Sequence, residues 1–282
     1  MQFLIAVAFI AVLGGSSWFL WKYREEHVFA PDRVIYPVFP EEKFQVSPVW
    51  TGEKDRVVHG WFVKPSQLKS NRVMLICHGT KGNLTTPFRV DLVRALSLLG
   101  MEFLIFDYRG TGFSPGRISQ KGLFEDILTA WEYLERNLGI DPERIIVFGR
   151  SLGGPAAAYL ASERNPLLLV LESTFPDLST EVSSFLPFLT DSVSSRIFHG
   201  MYETRKYLDS VRCPVVFLHG DSDRLVSYDI GRKLYRDSGA NRKVFVTMKG
   251  LGHKGFSSDP ASYAGAIEKG FRASGFYGED DS

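Results

Sequence analysis

From residue 72 onward, short apolar runs alternate with longer amphipathic segments, and this alternation constrains the fold more than any other feature of the chain. The apolar runs lack a polar face of period two, as expected for parallel strands buried on both sides. They occupy residues 73–77, 103–106, 145–148, 167–171, 215–218 and 244–248. The segments between them predict helices near residues 86–99, 121–138, 152–163, 228–238 and 260–273. This repetition predicts an α/β fold, with a mostly parallel central sheet and helices on both of its faces.

Two further strands and one insertion complete the predicted domain, which we place at residues 43–282. Residues 43–51 and 57–64 predict two strands that are joined by a hairpin loop. Residues 175–212 interrupt the alternation and are too short for a second domain. This insertion is either a lid that lines a ligand pocket or a small satellite core. Its aromatic residues are Phe175, Phe185, Phe188 and Phe198.

The amino-terminal segment differs from the rest of the chain, because residues 3–21 carry no charge. As a helix they would span about 28 Å, close to the thickness of a bilayer's hydrocarbon core. We therefore predict a single-pass membrane anchor at residues 1–22, with a cleaved signal peptide as the alternative. Lys22 and Arg24 follow the anchor, which favours a folded domain that faces the cytoplasm. A proline-containing tether at residues 23–42 would connect the two parts.

Charge and cysteine content exclude several classes of protein. Lysine and arginine number 33 and aspartate and glutamate 32, so the formal net charge is +1. No large basic surface is expected, and a nucleic acid is therefore not a predicted partner. The chain has two cysteines, which is too few for a disulfide scaffold. It has neither a C-x-x-C nor an H-E-x-x-H spacing, so no metal site is predicted.

One pentapeptide predicts a nucleophile at the edge of the sheet where ligands bind, beyond the carboxyl ends of parallel strands. Gly149-Arg150-Ser151-Leu152-Gly153 has the pattern G-x-S-x-G. It lies between a buried strand and an alanine-rich helix, which is the context in which this pattern forms a nucleophile turn. The alternative, that Ser151 only caps the helix, does not explain the two glycines. We therefore predict that Ser151 is the nucleophile.

A histidine and an acid that could activate Ser151 follow the last two strands. His253 lies on the glycine-rich loop after the last strand, and Asp223 follows the strand before it. The order serine, aspartate, histidine matches that of hydrolases with this strand pattern. Asp221 and Glu172 are the rival acids. Of the other histidines, His78 and His219 are expected to hold loop backbone. His27, His59 and His199 are expected to be surface or packing residues.

An attacked carbonyl develops negative charge, which fixed N–H groups can stabilise. The N–H of Leu152 directly follows the nucleophile, and we predict it as one donor of an oxyanion hole. The loop after the first parallel strand should provide the other donor, and we choose Thr80. Lys81, next to it, could bind an acidic group of a substrate or be simply solvated.

Five segments give the chain from about residue 34 a clear resemblance to the α/β-hydrolase superfamily. They are His78-Gly79 with Gly82-Asn83, residues 107–114, residues 149–154, Cys213-Pro214-Val215 with His219-Gly220 and Asp223, and residues 250–253. Within the superfamily, the chain most resembles the membrane-anchored Bem46-like group, which is related to the ABHD13 and ABHD17 hydrolases. Thr80-Lys81 and Lys254 depart from the pattern of that group near the mouth of the site.

The resemblance implies an α/β-hydrolase fold and serine-hydrolase chemistry on an ester, a thioester or an amide. We expect a carboxylesterase, lipase or thioesterase with the triad Ser151, Asp223 and His253, which cleaves a small or lipid-like acyl substrate through an acyl-enzyme. No metal or organic cofactor is needed for this chemistry. A peptidase or amidase of the same fold and a non-catalytic binding scaffold are the alternatives.

A separate expectation concerns two charged residues at the same edge of the sheet. We expect Asp107 and Arg109 to pair and to hold their loop.

Overall fold

An eight-stranded sheet organises the part of the chain that the structure describes. The structure is a computed structural model that describes residues 28–38, 43–53, 57–185 and 191–276. The strands follow the order β1-β2-β4-β3-β5-β6-β7-β8, with β2 antiparallel to both β1 and β4 and the other neighbours parallel. Their bounds are β1 Phe44–Thr51, β2 Val58–Pro65, β3 Val73–Cys77, β4 Glu102–Phe106, β5 Ile145–Arg150, β6 Leu168–Glu172, β7 Val215–Gly220 and β8 Lys243–Met248. The predicted mostly parallel sheet is confirmed.

Helices connect the parallel strands, as the amphipathic segments predict. Those described are α1 Pro87–Ser97, α2 Gln120–Glu132, α3 Gly153–Glu163, α4 Leu178–Phe185, α5 Asp191–Phe198, α6 Thr204–Leu208, α7 Tyr228–Asp237, α8 Gly255–Ser258 and α9 Pro260–Ala273. A π-helical turn, Tyr133–Asn137, continues α2. The predicted helix at residues 121–138 therefore changes its hydrogen-bonding pattern before it ends.

Apolar side chains fill both faces of the sheet, which explains why the strands read as continuous apolar runs. Leu75 of β3 belongs to the core on one face, together with Trp131. Its chain neighbours Met74 and Ile76 belong to the core on the opposite face, together with Phe148. Because successive side chains of a strand point to opposite faces, every side chain of a strand that is buried on both sides faces an apolar core.

The described residues of the insertion at 175–212 include helices α4, α5 and α6. Phe175 and Phe198 are buried in the same hydrophobic core as Leu152 and Ala156 of the nucleophile region. These two phenylalanines therefore extend the main core. The side chains of Phe185 and Phe188 lie outside the described residues.

The predicted localisation at a membrane is contradicted. In the described residues, no helix has the length and apolar character needed to cross a bilayer. The segment for which the anchor was predicted, residues 3–21, lies outside the described residues.

The expected pairing of Asp107 with Arg109 is wrong. Arg109 instead donates from Nε and Nη2 to Asp126 Oδ1 of α2, at 2.8 and 2.7 Å. Asp107 points the other way and accepts the N–H of Leu84 at 2.9 Å. The loop after β4 is therefore held from two sides, by α2 and by the loop that precedes α1.

Candidate active site

Ser151 occupies the sharp turn between β5 and α3. Its φ of 53° lies in the left-handed region, which a residue with a side chain rarely adopts. Hydrogen bonds hold this conformation: the Ser151 N–H donates to the carbonyl of Glu172 at 2.9 Å, and Thr174 Oγ1 donates to the Ser151 carbonyl at 2.8 Å. The surroundings therefore impose the strained backbone, as is common where a side chain must be presented for chemistry.

Small residues around Ser151 are required by close packing. A Cβ on Gly149 would overlap the Cβ of Ala157, and one on Gly153 would overlap the carbonyl of Cys77. A Cβ on Gly79 would lie 3.0 Å from the Cβ of Ser151. The two glycines of the pentapeptide thus let α3 approach the sheet, and Gly79 lets the loop after β3 approach the serine.

Asp223 and His253 are brought together from loops after β7 and β8. Asp223 Oδ2 lies 2.8 Å from His253 Nδ1. The other oxygen, Oδ1, accepts the backbone N–H groups of Leu225 at 2.8 Å and Val226 at 3.0 Å, so the carboxylate is fixed at both ends. Since a carboxylate accepts hydrogen bonds, His253 carries its proton on Nδ1 and leaves Nε2 as the basic nitrogen.

The electrostatics of this pair favour a neutral histidine beside an ionised acid. Burial, followed by the positive charge of Arg150, lowers the pKa of His253 to about 4, although Asp223 opposes the shift. Burial alone would raise the pKa of Asp223, but the hydrogen bond and charge of His253 outweigh it and hold that pKa below its ordinary value. The imidazole is therefore neutral at pH 7 and able to accept a proton.

Ser151 and His253 are linked through a neighbouring residue. In the part of the chain that the structure describes, no hydrogen bond joins Ser151 Oγ to His253. Such contacts are often long in structures without substrate. Instead, Arg150 Nη2 donates to the carbonyl oxygen of His253. The residue next to the serine thus holds the backbone of the histidine loop.

The loop after β3 contains Thr80, which the sequence analysis predicts as an oxyanion donor. Arg89 of α1 donates from Nη2 to the carbonyls of Gly79 and Lys81, at 3.1 and 3.3 Å. Within the described residues, neither the Thr80 N–H nor the Leu152 N–H donates a hydrogen bond.

The remaining candidates take structural positions. His78 Nδ1 contacts the Gly79 carbonyl at 2.8 Å, and His219 Nε2 contacts the Val226 carbonyl at 2.9 Å, so both bind loop backbone as expected. Asp221 is exposed and accepts the N–H of Gly250 at 2.7 Å. Glu172 faces Arg150 rather than a histidine, with 2.8 Å between Oε2 and Nε.

Arg89 and Arg150 are the two residues near the site that the sequence analysis did not single out for it. Both are almost fully buried. A signal existed for Arg150, because it ends an otherwise apolar strand and Glu172 ends the next apolar strand. For Arg89 the signal in the sequence was weak: it lies among the mostly apolar residues that α1 buries.

The strand order and the serine at a strand-to-helix turn define an α/β hydrolase, and comparisons with known proteins agree. The family described as alpha/beta hydrolase fold matches residues 72–191. An uncharacterized protein of Mycobacterium tuberculosis is 32% identical over 93% of this chain and 90% of its own. The lysophosphatidylserine lipase ABHD12 of Danio rerio is 31% identical over 62% of this chain and 49% of its own.

Solved structures show the same fold. An esterase of Pyrococcus furiosus superposes with a TM-score of 0.68 at 18% identity and covers 86% of this chain and 96% of its own. An alpha-beta hydrolase of Vibrio vulnificus gives a TM-score of 0.69 at 22% identity and covers 92% and 94%. Together with the matched family model and the relatives, this fold places the chain in the α/β-hydrolase superfamily.

Proposed function

We propose that this hydrolase is a serine esterase or thioesterase that forms an acyl-enzyme on Ser151. The observation that carries the proposal is the Asp223–His253 hydrogen bond of 2.8 Å, which lies at the same edge of the sheet as the left-handed Ser151 turn. A scaffold has no need for a strained serine, an oriented acid and a neutral histidine at one edge. The five motif segments favour a likeness to the Bem46-like group within the family.

In the proposed mechanism, Ser151 Oγ attacks the carbonyl carbon of the substrate and His253 Nε2 takes its proton. Asp223 stabilises the imidazolium that forms. The N–H groups of Thr80 and Leu152 donate hydrogen bonds to the oxyanion, and each stabilises it by a few kcal/mol. His253 then protonates the leaving alcohol or thiol, and the C–O or C–S bond breaks.

Water completes the cycle. His253 Nε2 takes a proton from a water molecule, whose oxygen attacks the acyl carbon of the acyl-enzyme, and the same proton returns to Ser151 Oγ as the acid leaves. All of these steps use groups of the chain and water. The substrate class is a small or lipid-like acyl compound, which the names of the esterase and lipase relatives support.

The test is a combination of active-site labelling and turnover. A fluorophosphonate should label the wild-type chain, and Ser151→Ala should abolish labelling and lower kcat by about 10⁴-fold or more. Ser173→Ala is a matched control, since Ser173 also has a positive φ and directly follows the neighbouring strand. Hydrolysis of p-nitrophenyl esters from C2 to C16, acyl thioesters and acyl amides then separates esterase, thioesterase and amidase. A folded wild-type chain that is neither labelled nor active would be a binding scaffold and would contradict the proposal.

A further inference from the structure

Arg150 contacts three parts of the site at once. Its Nε lies 2.8 Å from Glu172 Oε2 at the end of β6. Its Nη2 donates to the main-chain carbonyl of His253. Its guanidinium carbon lies 4.7 Å from the centre of the Phe256 ring of α8. Only 6% of the side chain is exposed, so the guanidinium makes these contacts away from solvent.

Glu172 connects Arg150 to the nucleophile turn a second time. Its carbonyl accepts the N–H of Ser151 at 2.9 Å, while its carboxylate faces Arg150 and lies 3.4 Å from the hydroxyl of Tyr263. Arg150 and Glu172 are also direct neighbours in the parallel register of β5 and β6. The serine turn, the ion pair and the histidine loop therefore form one connected group.

The histidine loop needs such support. Two glycines precede His253, and the φ of Gly250 is 72°, so the loop has few side chains of its own to hold it. The imidazole is held by Asp223, but a hydrogen bond at Nδ1 leaves the direction of Nε2 dependent on where the main chain lies. The donor from Arg150 fixes that main chain relative to Ser151.

We propose that Arg150 is a positioning residue, which with Glu172 sets the main chain of His253 relative to the Ser151 turn and so aims Nε2 at the serine hydroxyl. The inference rests on the proposed function. Because misplacement of a catalytic group by about 1 Å can lower a rate by about a hundredfold, the contact should be visible in kcat.

The positive charge of Arg150 gives a second measurable effect, which is on the pKa of His253. The charged and titratable groups that face His253 are Arg150, Asp223 and His219, and exposed Lys254 follows it in the chain. After burial, Arg150 is the main cause that lowers the pKa of His253, whereas Asp223 raises it. Loss of the cation should therefore raise this pKa. The acid limb of kcat/KM would then move to higher pH, since the base must be neutral to work.

Two variants separate position from charge. Arg150→Lys keeps the charge, but its single nitrogen does not reproduce the fork that spans Glu172 and the His253 carbonyl. We expect kcat to fall about tenfold or more with KM within about twofold, and the acid limb to stay in place. Arg150→Met should lower kcat by up to about a hundredfold and also shift the acid limb upward. If Arg150→Met does not fold, Arg150→Lys still tests the positioning role.

Arg109→Met is the matched control. Arg109 forms a largely buried ion pair with Asp126 and contacts neither Ser151 nor His253. Its loss should lower Tm and leave kcat and the acid limb unchanged. Wild-type kcat and an unmoved acid limb in both Arg150 variants would overturn the proposal and leave Arg150 with a stabilising role only.

A measurement without turnover distinguishes failure of this inference from failure of the proposed function. NMR of the full chain with ¹⁵N-labelled histidine follows the imidazole of His253 as pH changes, with His253→Gln to assign its signals. Arg150→Met should raise the titration midpoint and broaden or shift the Nδ1–H signal, even if the wild-type chain cleaves no ester. An unchanged midpoint and signal would overturn the inference, whereas an inactive wild-type chain that shows the shift would overturn only the proposed function.

Discussion

Asp223→Asn is the sharpest test of the proposed triad, because the structure shows what the change keeps and what it reverses. Asp223 Oδ1 accepts the N–H groups of Leu225 and Val226 at 2.8 and 3.0 Å, and an asparagine oxygen can accept both. The amide NH₂ must then occupy the place of Oδ2, 2.8 Å from His253 Nδ1. A donor at that place requires Nδ1 to be unprotonated, and the proton moves to Nε2. An Nε2–H group cannot take the proton of Ser151.

The expected loss in kcat is about 10⁴-fold, as for a triad histidine held in the wrong tautomer. This factor corresponds to about 5.4 kcal/mol of transition-state stabilisation, at about 1.36 kcal/mol for each factor of ten. The free energy of unfolding should fall by at most about 3 kcal/mol, because one charge-assisted hydrogen bond is lost and the two backbone bonds remain. Steady-state kinetics and urea denaturation of the same preparation measure both quantities.

Two neighbouring acids are matched controls for this change. Asp221→Asn keeps an acceptor for the Gly250 N–H, so kcat should stay within about twofold of wild type. Glu172→Gln should have a far smaller effect than Asp223→Asn, because the Glu172 carboxylate faces Arg150 and not the imidazole. The reasoning is refuted if Asp223→Asn keeps near-normal turnover, or if Glu172→Gln abolishes it.

Three further predictions concern reactivity and stability. Burial raises the pKa of the Cys77 thiol well above its ordinary value, so mass spectrometry should find alkylation by iodoacetamide only after denaturation. Gly149→Ala should lower Tm, because the new Cβ would overlap α3. Gly265→Ala on α9 is the contrast: its Cβ meets open space, and the substitution should raise the free energy of unfolding by at most about 1 kcal/mol. Burial, then the charge of Asp223, raises the pKa of Glu181 from 4.5 to about 8. Its ionisation therefore lowers stability as the pH rises between these values. Urea midpoints should show Glu181→Gln to be more stable than wild type at pH 8 and equal to it near pH 4.

The sheet could be predicted from the sequence because its strands are buried on both faces. Residues 73–77 were predicted as a strand, and β3 has these bounds. The predicted ends of β5 and β7 were too early, because Arg150 and Gly220 still pair in register with Glu172 and Met248 of the neighbouring strands. Apolar runs reveal which residues need burial, but backbone pairing continues into polar and glycine residues.

The partner of Arg109 could not be read from chain proximity. Asp107 is two residues away, yet the two side chains leave the loop in different directions. The true partner, Asp126, lies on α2, where it is fully buried beneath the loop. A sequence shows that a buried cation needs an anion, but the choice among nearby anions depends on the path of the loop.

Arg150 shows where sequence reasoning ends at this site. An opposite charge at the ends of two successive apolar strands could have predicted the ion pair with Glu172, since sequential strands are often neighbours. A guanidinium, however, has five donors, and one carboxylate cannot satisfy them in a buried place. The further acceptor is the main-chain carbonyl of His253, 103 residues away in the chain. Every residue has a backbone carbonyl, so the sequence does not show which carbonyl accepts the hydrogen bond. The contact between the serine turn and the histidine loop is therefore visible only in the structure, although Arg150 and His253 both lie in recognisable sequence motifs.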